Sequence, residues 1–362
     1  MFGKLKFTIF LLVICGTLLH AQTITPKEVA ELEAKVRQSP DDVEMRGKLI
    51  LHYQQGKTTA DQKSLQRHRL ALIQSNPQKT SSYLLGIWVG EETKKPEYTE
   101  LKNEWLRQLA KFKTDPEVRL NVVEFLSVNE AAQAEKILLE GETIDAGNYM
   151  YPYRLMKLHS TQLWEMELDM DMQEKPPTEA DRKALLNKII AQSRKGLEAL
   201  KDKDEAEQTE YSRKFLAVMA INYLELRDPK SAYETAHLLH KNLTEAGAEP
   251  FLYEYFRVVL SVKGRARLME GNLEEARKYL LGSIEINENT SNYQSIVDTR
   301  FCEELLVKEG AATVIKYLEL CEKLGLDEDE RKILKKFQRQ LREGRIPKFS
   351  EYRNNVDVNF NF

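Results

Sequence analysis

Apolar residues recur every three or four positions in one segment after another of this 362-residue chain. That spacing places them on one face of an α-helix, whereas a half-buried β-strand needs strict alternation. The clearest apolar stripe lies in residues 98–112 and consists of Leu101, Trp105, Leu109 and Phe112. The chain has only 16 Gly and 11 Pro, which are few for a β-rich protein with many tight turns. We therefore predict an all-α protein made of consecutive helices.

Turn-forming residues interrupt the stripes and set the expected helix bounds. Pro40-Asp41-Asp42, Asn76-Pro77 and Asp228-Pro229 each end one helix or begin the next. Thr178, followed by Asp181 three residues later, has the pattern of an N-cap. Outside the two repeats described next, we predict helices over residues 26–39, 43–55, 60–75, 98–112, 117–126, 130–139, 150–163, 178–200, 290–308, 311–324 and 327–342.

Two stretches of the C-terminal half share a spacing of small residues. Gly264 is followed twelve residues later by Ala276, and Ala220 is followed twelve residues later by Ala232. Small side chains at this spacing allow two antiparallel helices to approach closely. Large apolar residues take the neighbouring positions of both stretches, namely Leu216, Met219, Tyr223, Leu280 and Ile284. The two stretches therefore predict two helical hairpins.

These two stretches resemble the tetratricopeptide repeat. The chain departs from the family pattern at Lys263 and Arg267, and its two units are 44 residues apart, whereas the usual period is about 34. The resemblance implies a right-handed superhelix of roughly seven or eight antiparallel helix pairs, a TPR-like α-solenoid. The first helices of the pairs would line a concave face, into which the family pattern would direct Lys214, Ile221, Ser261, Arg265 and Leu268.

The whole chain also resembles a group of exported bacterial helical-repeat proteins of unknown function. The segments that carry this resemblance are 40–42 with 49–53, 104–108, 134–139, 314–321 and 344–349. Nearly the full length of the chain takes part in it. The group implies a TPR-like solenoid and no particular reaction.

The first 21 residues have the pattern of a secretory signal peptide. Lys4 and Lys6 precede an uncharged apolar run, 7–19, and Leu19-His20-Ala21 offers a cleavage site at its end. The run is too short to span a bilayer comfortably as a straight helix. An uncleaved anchor and a lipid anchor through Cys15 are the alternatives. We predict an exported protein, periplasmic or extracellular, with no stable membrane span after cleavage.

The predicted organisation divides the chain into five parts. They are a signal peptide (1–21), N-terminal helical repeats (22–163), a Met- and acid-rich linker (164–177), C-terminal helical repeats (178–349) and a tail (350–362). Removal of Lys4 and Lys6 changes the formal net charge from −3 to −5. A mildly acidic chain lacks the basic field that nucleic-acid binding requires, so we expect no nucleic-acid partner.

The sequence contains few motifs that would indicate a catalytic reaction or a metal site. It contains no phosphate loop, dinucleotide fingerprint, metalloprotease helix or nucleophile elbow. His237 and His240 could share a helix face with Glu234, but a packing helix is favoured over a metal site. Cys302 and Cys321 could form a disulfide, and two buried free thiols are slightly favoured. We therefore expect no cofactor and assign no catalytic residue.

Three methionines alternate with acidic residues in the segment 164–174, a composition that suits neither copper nor a hard cation well. A solvated linker with Trp164 and Leu168 packed inward is the favoured interpretation, and a loop that meets a partner is the alternative.

With no catalytic motif, the predicted solenoid favours a non-enzymatic scaffold that binds an unknown protein or peptide on its concave face. One alternative is an all-helical envelope enzyme, a hydrolase or a carbohydrate-active protein, with catalytic carboxylates in the groove. Another is a lipid-anchored envelope assembly factor. The sequence names no particular partner for any of them.

Overall fold

The computed structural model describes residues 24–82, 85, 95–168, 177–246, 252–287, 297–324, 326, 328–349 and 352. These residues are mostly α-helical, and no β-strand occurs among them. The predicted all-α class is therefore confirmed. Among the described helices, none has the length and the apolar character that a membrane crossing requires. The predicted signal peptide, with Cys15, lies outside the described residues.

The described residues form fifteen helices, numbered α1 to α15 in chain order. In the first half they are α1 (Pro26–Gln38), α2 (Val43–Gln55), α3 (Thr59–Ser75), α4 (Pro96–Lys111), α5 (Pro116–Leu126), α6 (Ala131–Ile144) and α7 (Met150–Leu168). The second half adds α8 (Glu179–Ala199), α9 (Glu205–Glu225), α10 (Pro229–Ala246), α11 (Tyr253–Met269), α12 (Leu273–Asn287), α13 (Thr299–Glu309), α14 (Ala311–Glu322) and α15 (Glu328–Arg342).

Helix ends agree closely with the sequence prediction where a side chain caps the helix. The Thr178 hydroxyl accepts a hydrogen bond from the Asp181 N–H, and the Asp181 carboxylate accepts one from the Thr178 N–H. This reciprocal pair confirms the predicted N-cap of α8. Thr25 and Thr58 form the same capping box at the starts of α1 and α3.

Three predicted bounds differ from the structure by five residues or more. Helix α13, predicted from residue 290, begins at Thr299, and the Asp298 carboxylate accepts from the Phe301 N–H as its N-cap. Residues 290–296 of that prediction lie outside the described residues. Helix α6 continues past residue 139 to Ile144, and α7 continues past residue 163 to Leu168. Trp164 is 41% exposed on this extension, so the expectation that it packs inward is wrong. Residues 169–176 of the predicted linker lie outside the described residues.

Packing divides the chain after Gly141 into an N-terminal unit and a C-terminal unit. In the N-terminal unit each helix from α1 to α4 packs against the next one along the chain. Its core is formed by fully buried apolar side chains from these helices and from α5, including Leu49, Ile50, Leu72, Leu101, Trp105 and Val122. Each helix therefore buries its apolar stripe against its sequence neighbours.

In the C-terminal unit, neighbouring helices pack from α7 through α12, and alternate helices also meet. Helix α11 packs against both α9 and α13, and α12 packs against α14. Residues 226–228 join α9 to α10, residues 270–272 join α11 to α12, and Gly310 alone joins α13 to α14. Connections this short make the joined helices antiparallel neighbours.

The small residues that predicted helical hairpins lie where helices touch. Ala220, Ala232 and Ala276 have no exposed surface, and all three belong to hydrophobic clusters of the C-terminal unit. A Cβ atom added at Gly264 would lie 2.4 Å from the Phe301 ring and 2.9 Å from the Tyr279 Cβ. Gly264 therefore allows α11 to approach both α12 and α13.

The last described residues complete the core of α11 to α15. Phe349 and Tyr352 are buried, and the Phe337 and Phe349 rings lie edge to face with centroids 5.0 Å apart. Cys302 and Cys321 are buried free thiols in the same cluster, as the sequence favoured. Burial raises the pKa of both thiols, that of Cys321 to about 12, so neither is a reactive thiolate. Residues 353–362 of the predicted tail lie outside the described residues.

We expect Gly264→Ala to lower the free energy of unfolding by about 1–3 kcal/mol, because the added methyl group overpacks the contact with α12 and α13. Gly282 on α12 provides the matched control, since a Cβ added there meets nothing within 4 Å. Gly282→Ala should raise stability by about 0.5–1 kcal/mol through helix propensity. Urea unfolding of both variants checks the pair, and equal effects of the same sign would contradict the packing role of Gly264.

Candidate functional site

Arg265 is the least exposed charged side chain among the described residues of the C-terminal unit, at 1%. Its Nε and Nη2 atoms donate to the two carboxylate oxygens of Glu304 on α13, at 3.0 and 2.8 Å. Nη2 also lies 3.5 Å from Glu225 Oε1. This two-point contact with Glu304 holds the guanidinium plane in a fixed orientation.

Glu225, the last residue of α9, is surrounded by three arginines. Its carboxylate, 8% exposed, pairs with Arg182 of α8, with Arg265 of α11 and, at 2.5 Å, with Arg300 of α13. Burial alone would raise the pKa of this carboxyl, but the charges of Arg300 and Arg265 outweigh it and hold the pKa below its ordinary value. Glu225 is therefore ionised at neutral pH and joins four helices.

A cavity of about 530 Å³ opens beside this ionic cluster. We call it the arginine cleft; its charged lining consists of Arg182, Arg227, Arg265, Arg300, Glu179, Glu225 and Glu304. Apolar lining is supplied by the ends of α7, α9 and α11, with Met166, Leu224 and Met269. A cleft of this volume is large enough for a small-molecule ligand.

Lys214 lies in a second cluster, on the part of α9 that precedes Glu225 by three helical turns. Its ammonium group lies 4.6 Å from the centroid of the Tyr211 ring and 5.6 Å from that of Tyr153. It also forms an ion pair of 2.9 Å with Glu210. Lys214 is 17% exposed, so its stem packs on the rings while part of it faces solvent.

Three further aromatic contacts build this cluster. Tyr211 packs on Tyr149 and Tyr153 with centroid separations of 4.7 and 5.2 Å. Lys157 lies over the Tyr153 ring at 5.7 Å, and Tyr255 of α11 is close enough to Tyr153 that ionisation of Tyr153 would raise the pKa of Tyr255. Burial raises the pKa of Tyr153 to about 12 and raises those of Tyr149 and Tyr255 further, so all three phenols are neutral hydroxyls. We call this set, Tyr149, Tyr153, Lys157, Tyr211, Lys214 and Tyr255, the tyrosine–lysine cluster.

The remaining residues assigned to the concave face lie deeper in the fold. Ser261 is buried beside a cavity of about 10 Å³ that Arg257 and Tyr279 also line. Ile221 is half-buried and packs against the core of α8 to α11. Leu268 is 2% exposed and belongs to the core of α11 to α15. The structure therefore places Lys214 and Arg265 in two separate clusters and the other three residues against the core.

His237 and His240 do not converge with Glu234 on a metal site. The His240 ring packs edge to face on Phe256, and its Nδ1 atom lies 3.4 Å from the Lys263 Nζ atom. Burial, together with the charges of Lys263 and His237, lowers the pKa of His240. Among the residues that the structure describes, no three His, Cys, Asp or Glu side chains are grouped closely enough to hold a metal ion.

In the N-terminal unit, a buried histidine takes part in an ionic chain between α1, α2 and α3. The Arg46 Nη1 atom lies 3.2 Å from His68 Nδ1, and His68 Nε2 lies 2.9 Å from Glu33 Oε1. Because a guanidinium can only donate, His68 accepts from Arg46 at Nδ1 and carries its proton on Nε2, which donates to Glu33. The Tyr53 hydroxyl and Arg67 also donate to Glu33, at 2.9 and 2.6 Å.

No protein-family model matches this chain, and no curated protein matches it either. The clusters described above therefore have to be interpreted from their own geometry. Sequence reasoning had placed Arg265 and Lys214 near a binding face but had given no role to Glu225, Arg182, Arg227 or Arg300. These four residues are scattered over 119 positions of sequence, from 182 to 300, and no local pattern marks them as a set.

We expect Glu225→Gln to lower the free energy of unfolding of the C-terminal unit by about 2–3 kcal/mol, because three arginines lose the charge that compensates them in a buried place. Glu198→Gln is the matched control, since Glu198 and its partner Lys201 are both largely exposed. That variant should change stability by less than about 0.5 kcal/mol. Chemical unfolding measures both, and an equally small loss for Glu225→Gln would show that the cluster contributes little.

We also expect the N-terminal unit to lose stability as the pH falls from about 7 to 5, because of His68. Burial, as the largest influence, lowers the pKa of His68, and the charges of Arg67 and Arg46 act in the same direction against the opposing effect of Glu33. A proton therefore binds the unfolded chain more readily than the folded one. The contribution of neutral His68 to the free energy of unfolding is complete above about pH 6.5 and is lost as the pH falls below it.

The measurement is urea unfolding as a function of pH for the natural chain and for His68→Gln. The natural chain should lose up to about 1.4 kcal/mol per pH unit through this group, and His68→Gln should show a flatter slope. His237→Gln removes a histidine exposed on α10 and serves as the control. If His237→Gln flattened the slope as much as His68→Gln did, the assignment to His68 would be wrong.

Proposed function

We propose that this chain is a non-enzymatic scaffold that binds a protein or peptide partner, and that it is built as a right-handed TPR-like superhelix. The packing of α11 against both α9 and α13, and of α12 against α14, supports this architecture. In stacked helical hairpins, the first helices of successive hairpins line one face and the second helices line the other. Helices α7, α9, α11 and α13 would then form the binding face.

The tyrosine–lysine cluster is the observation that carries the proposal. Its members come from α7, α9, α11 and the residue before α7, so it extends across three of the helices assigned to the binding face. Tyr149 and Tyr153 are buried and form the base of the cluster, whereas Tyr211 and the two lysines stay partly exposed. Tyrosine is enriched in protein interfaces, because its ring makes contacts with little loss of side-chain freedom. Lys157 and Lys214 add positive charge that favours acidic groups on a partner.

The place of action in this proposal is outside the cytoplasm, in the periplasm or the surroundings of the cell. Its support is the signal-peptide pattern of residues 1–21. A lipid anchor through Cys15 is the alternative form of attachment, and it would make the chain an envelope assembly factor. Either form leaves the binding face of the C-terminal unit unchanged.

An all-helical envelope enzyme, hydrolytic or carbohydrate-active, is the second candidate. The arginine cleft favours it in one respect, since it brings Glu225 and Glu304 to one cavity. A general acid at neutral pH, however, needs a raised pKa, and the arginines around Glu225 lower its pKa instead. The geometry of these carboxylates therefore supports binding better than acid–base catalysis.

The test is cross-linked co-purification of the tagged chain from its native cell, followed by mass spectrometry. We expect a reproducible partner whose recovery falls at least about tenfold in Lys214→Glu, since the charge reversal replaces attraction with repulsion and removes the ring contacts. Circular dichroism establishes that the variant remains folded. The matched control is Lys278→Glu, because Lys278 is exposed on α12.

Equal recovery from Lys214→Glu and from the natural chain would show that the tyrosine–lysine cluster is not the binding face. Equal loss in both variants would mean that recovery depends on net charge alone. If no partner is recovered from the natural chain while the protein is folded, the scaffold proposal fails. The cleft carboxylates would then be the place to look for an activity.

A further inference from the structure

Arg227 has an unusual backbone conformation at the end of α9. Its φ is +60°, and it is the one non-glycine residue with a positive φ among the residues that the structure describes. Its N–H donates to the Leu224 carbonyl, and the next N–H, of Asp228, donates to the Tyr223 carbonyl, both at 2.9 Å. These are the hydrogen bonds of a left-handed helix C-terminus, where glycine is usual because it has no Cβ.

The other described residues with positive φ follow the usual preference. They are Gly271 after α11, Gly310 after α13 and Gly344 after α15. Arginine at the equivalent position of α9 brings a steric cost that glycine would avoid. A side chain retained at such a cost suggests a role for the side chain itself.

Arg227 lines the arginine cleft and is exposed. Arg182, Arg265 and Arg300 are paired with Glu225, and Arg265 is paired with Glu304 as well. Arg227, by contrast, has no carboxylate within ion-pair distance among the described residues. It is therefore the guanidinium of the cleft that is available to a ligand.

The charge and the hydrogen-bonding capacity of the cleft also favour the binding of an anionic group. Among the described lining residues, four guanidinium groups face three carboxylates, which gives these residues one excess positive charge. Each guanidinium has five N–H donors and no acceptor, and the two oxygens of Glu225 are shared by three arginines. The cavity of about 530 Å³ has room for a molecule whose acceptor oxygens Arg227 could bind.

We propose that the arginine cleft binds a small molecule that carries an oxyanion, a phosphate, sulfate or carboxylate group, and that Arg227 is its principal cationic contact. Glu225 and Glu304 keep the other three guanidinium groups in place around the site. Arginine suits this role because its planar N–H groups match two oxygens of one anionic group. The site is separate from the tyrosine–lysine cluster and does not depend on the proposed scaffold function.

The test measures binding to the full chain by isothermal titration calorimetry and by thermal unfolding at constant ionic strength. The probes are inorganic pyrophosphate, sulfate and succinate, with chloride as the reference salt. At least one probe should bind saturably and raise the Tm with its concentration, as expected for a ligand that binds the folded state. A response to pyrophosphate or sulfate identifies a tetrahedral oxyanion, and a response to succinate alone identifies a carboxylate.

Arg227→Gly separates this site from nonspecific effects, because it should change stability and binding in opposite directions. Without ligand, the variant should gain about 2–4 °C in Tm, since glycine relieves the left-handed conformation. Its affinity for the responding probe should fall by about tenfold or more, because a charge-assisted contact is lost. Lys278→Ala removes one positive charge elsewhere in the C-terminal unit and should leave the affinity unchanged.

Two results would overturn the proposal. One is the absence of saturable binding for all three probes. The other is an affinity in Arg227→Gly equal to that of the natural chain, which would place any bound anion elsewhere. Neither result bears on partner recovery by the natural chain, so the scaffold proposal stands or fails on its own experiment.

Discussion

Close approach between helices is the constraint on which the C-terminal unit depends. At Gly264 the backbone of α11 comes so near to Tyr279 and Phe301 that a single methyl group does not fit. Ala220, Ala232 and Ala276 have no exposed surface and belong to the hydrophobic clusters of this unit. Because axes this close leave room only for small residues between them, the large apolar side chains are directed to either side of each contact.

The same packing brings together charges that lie far apart in sequence. Glu225 ends α9 at the level where α8, α11 and α13 each present an arginine, and the carboxylate is compensated by all three. Burying one carboxylate among several guanidinium groups costs solvation, which the attraction between the opposite charges offsets. The tyrosine–lysine cluster has a different character, since Tyr211 and its two lysines stay partly exposed above the buried rings of Tyr149 and Tyr153.

Much of the fold could be predicted from sequence, because its determinants are local. The apolar periodicity predicted the helices, and Thr178 with Asp181 predicted an N-cap. The spacing from Gly264 to Ala276 predicted a close contact between two helices. The start of α13 was missed because Thr290 and Asp298 are both residues that can cap a helix, and only the structure shows that Asp298 does so. The candidate sites were predicted only at Arg265 and Lys214, since Glu225, Arg182 and Arg300 meet through tertiary packing that no local pattern records. Arg227 carried a weak local signal, as an arginine just before a turn where glycine is usual.

Extensively packed helices of the C-terminal unit are never more than two apart in chain order within the described residues. Such a topology has low contact order, which favours rapid folding and allows hairpins to open one at a time. Glu225 departs from this rule, because its ion pair with Arg300 joins α9 to α13. One carboxylate thereby links hairpins that would otherwise exchange their amide hydrogens independently. The middle of the unit should accordingly behave as one cooperative block in hydrogen exchange, with fraying confined to the helices beyond it.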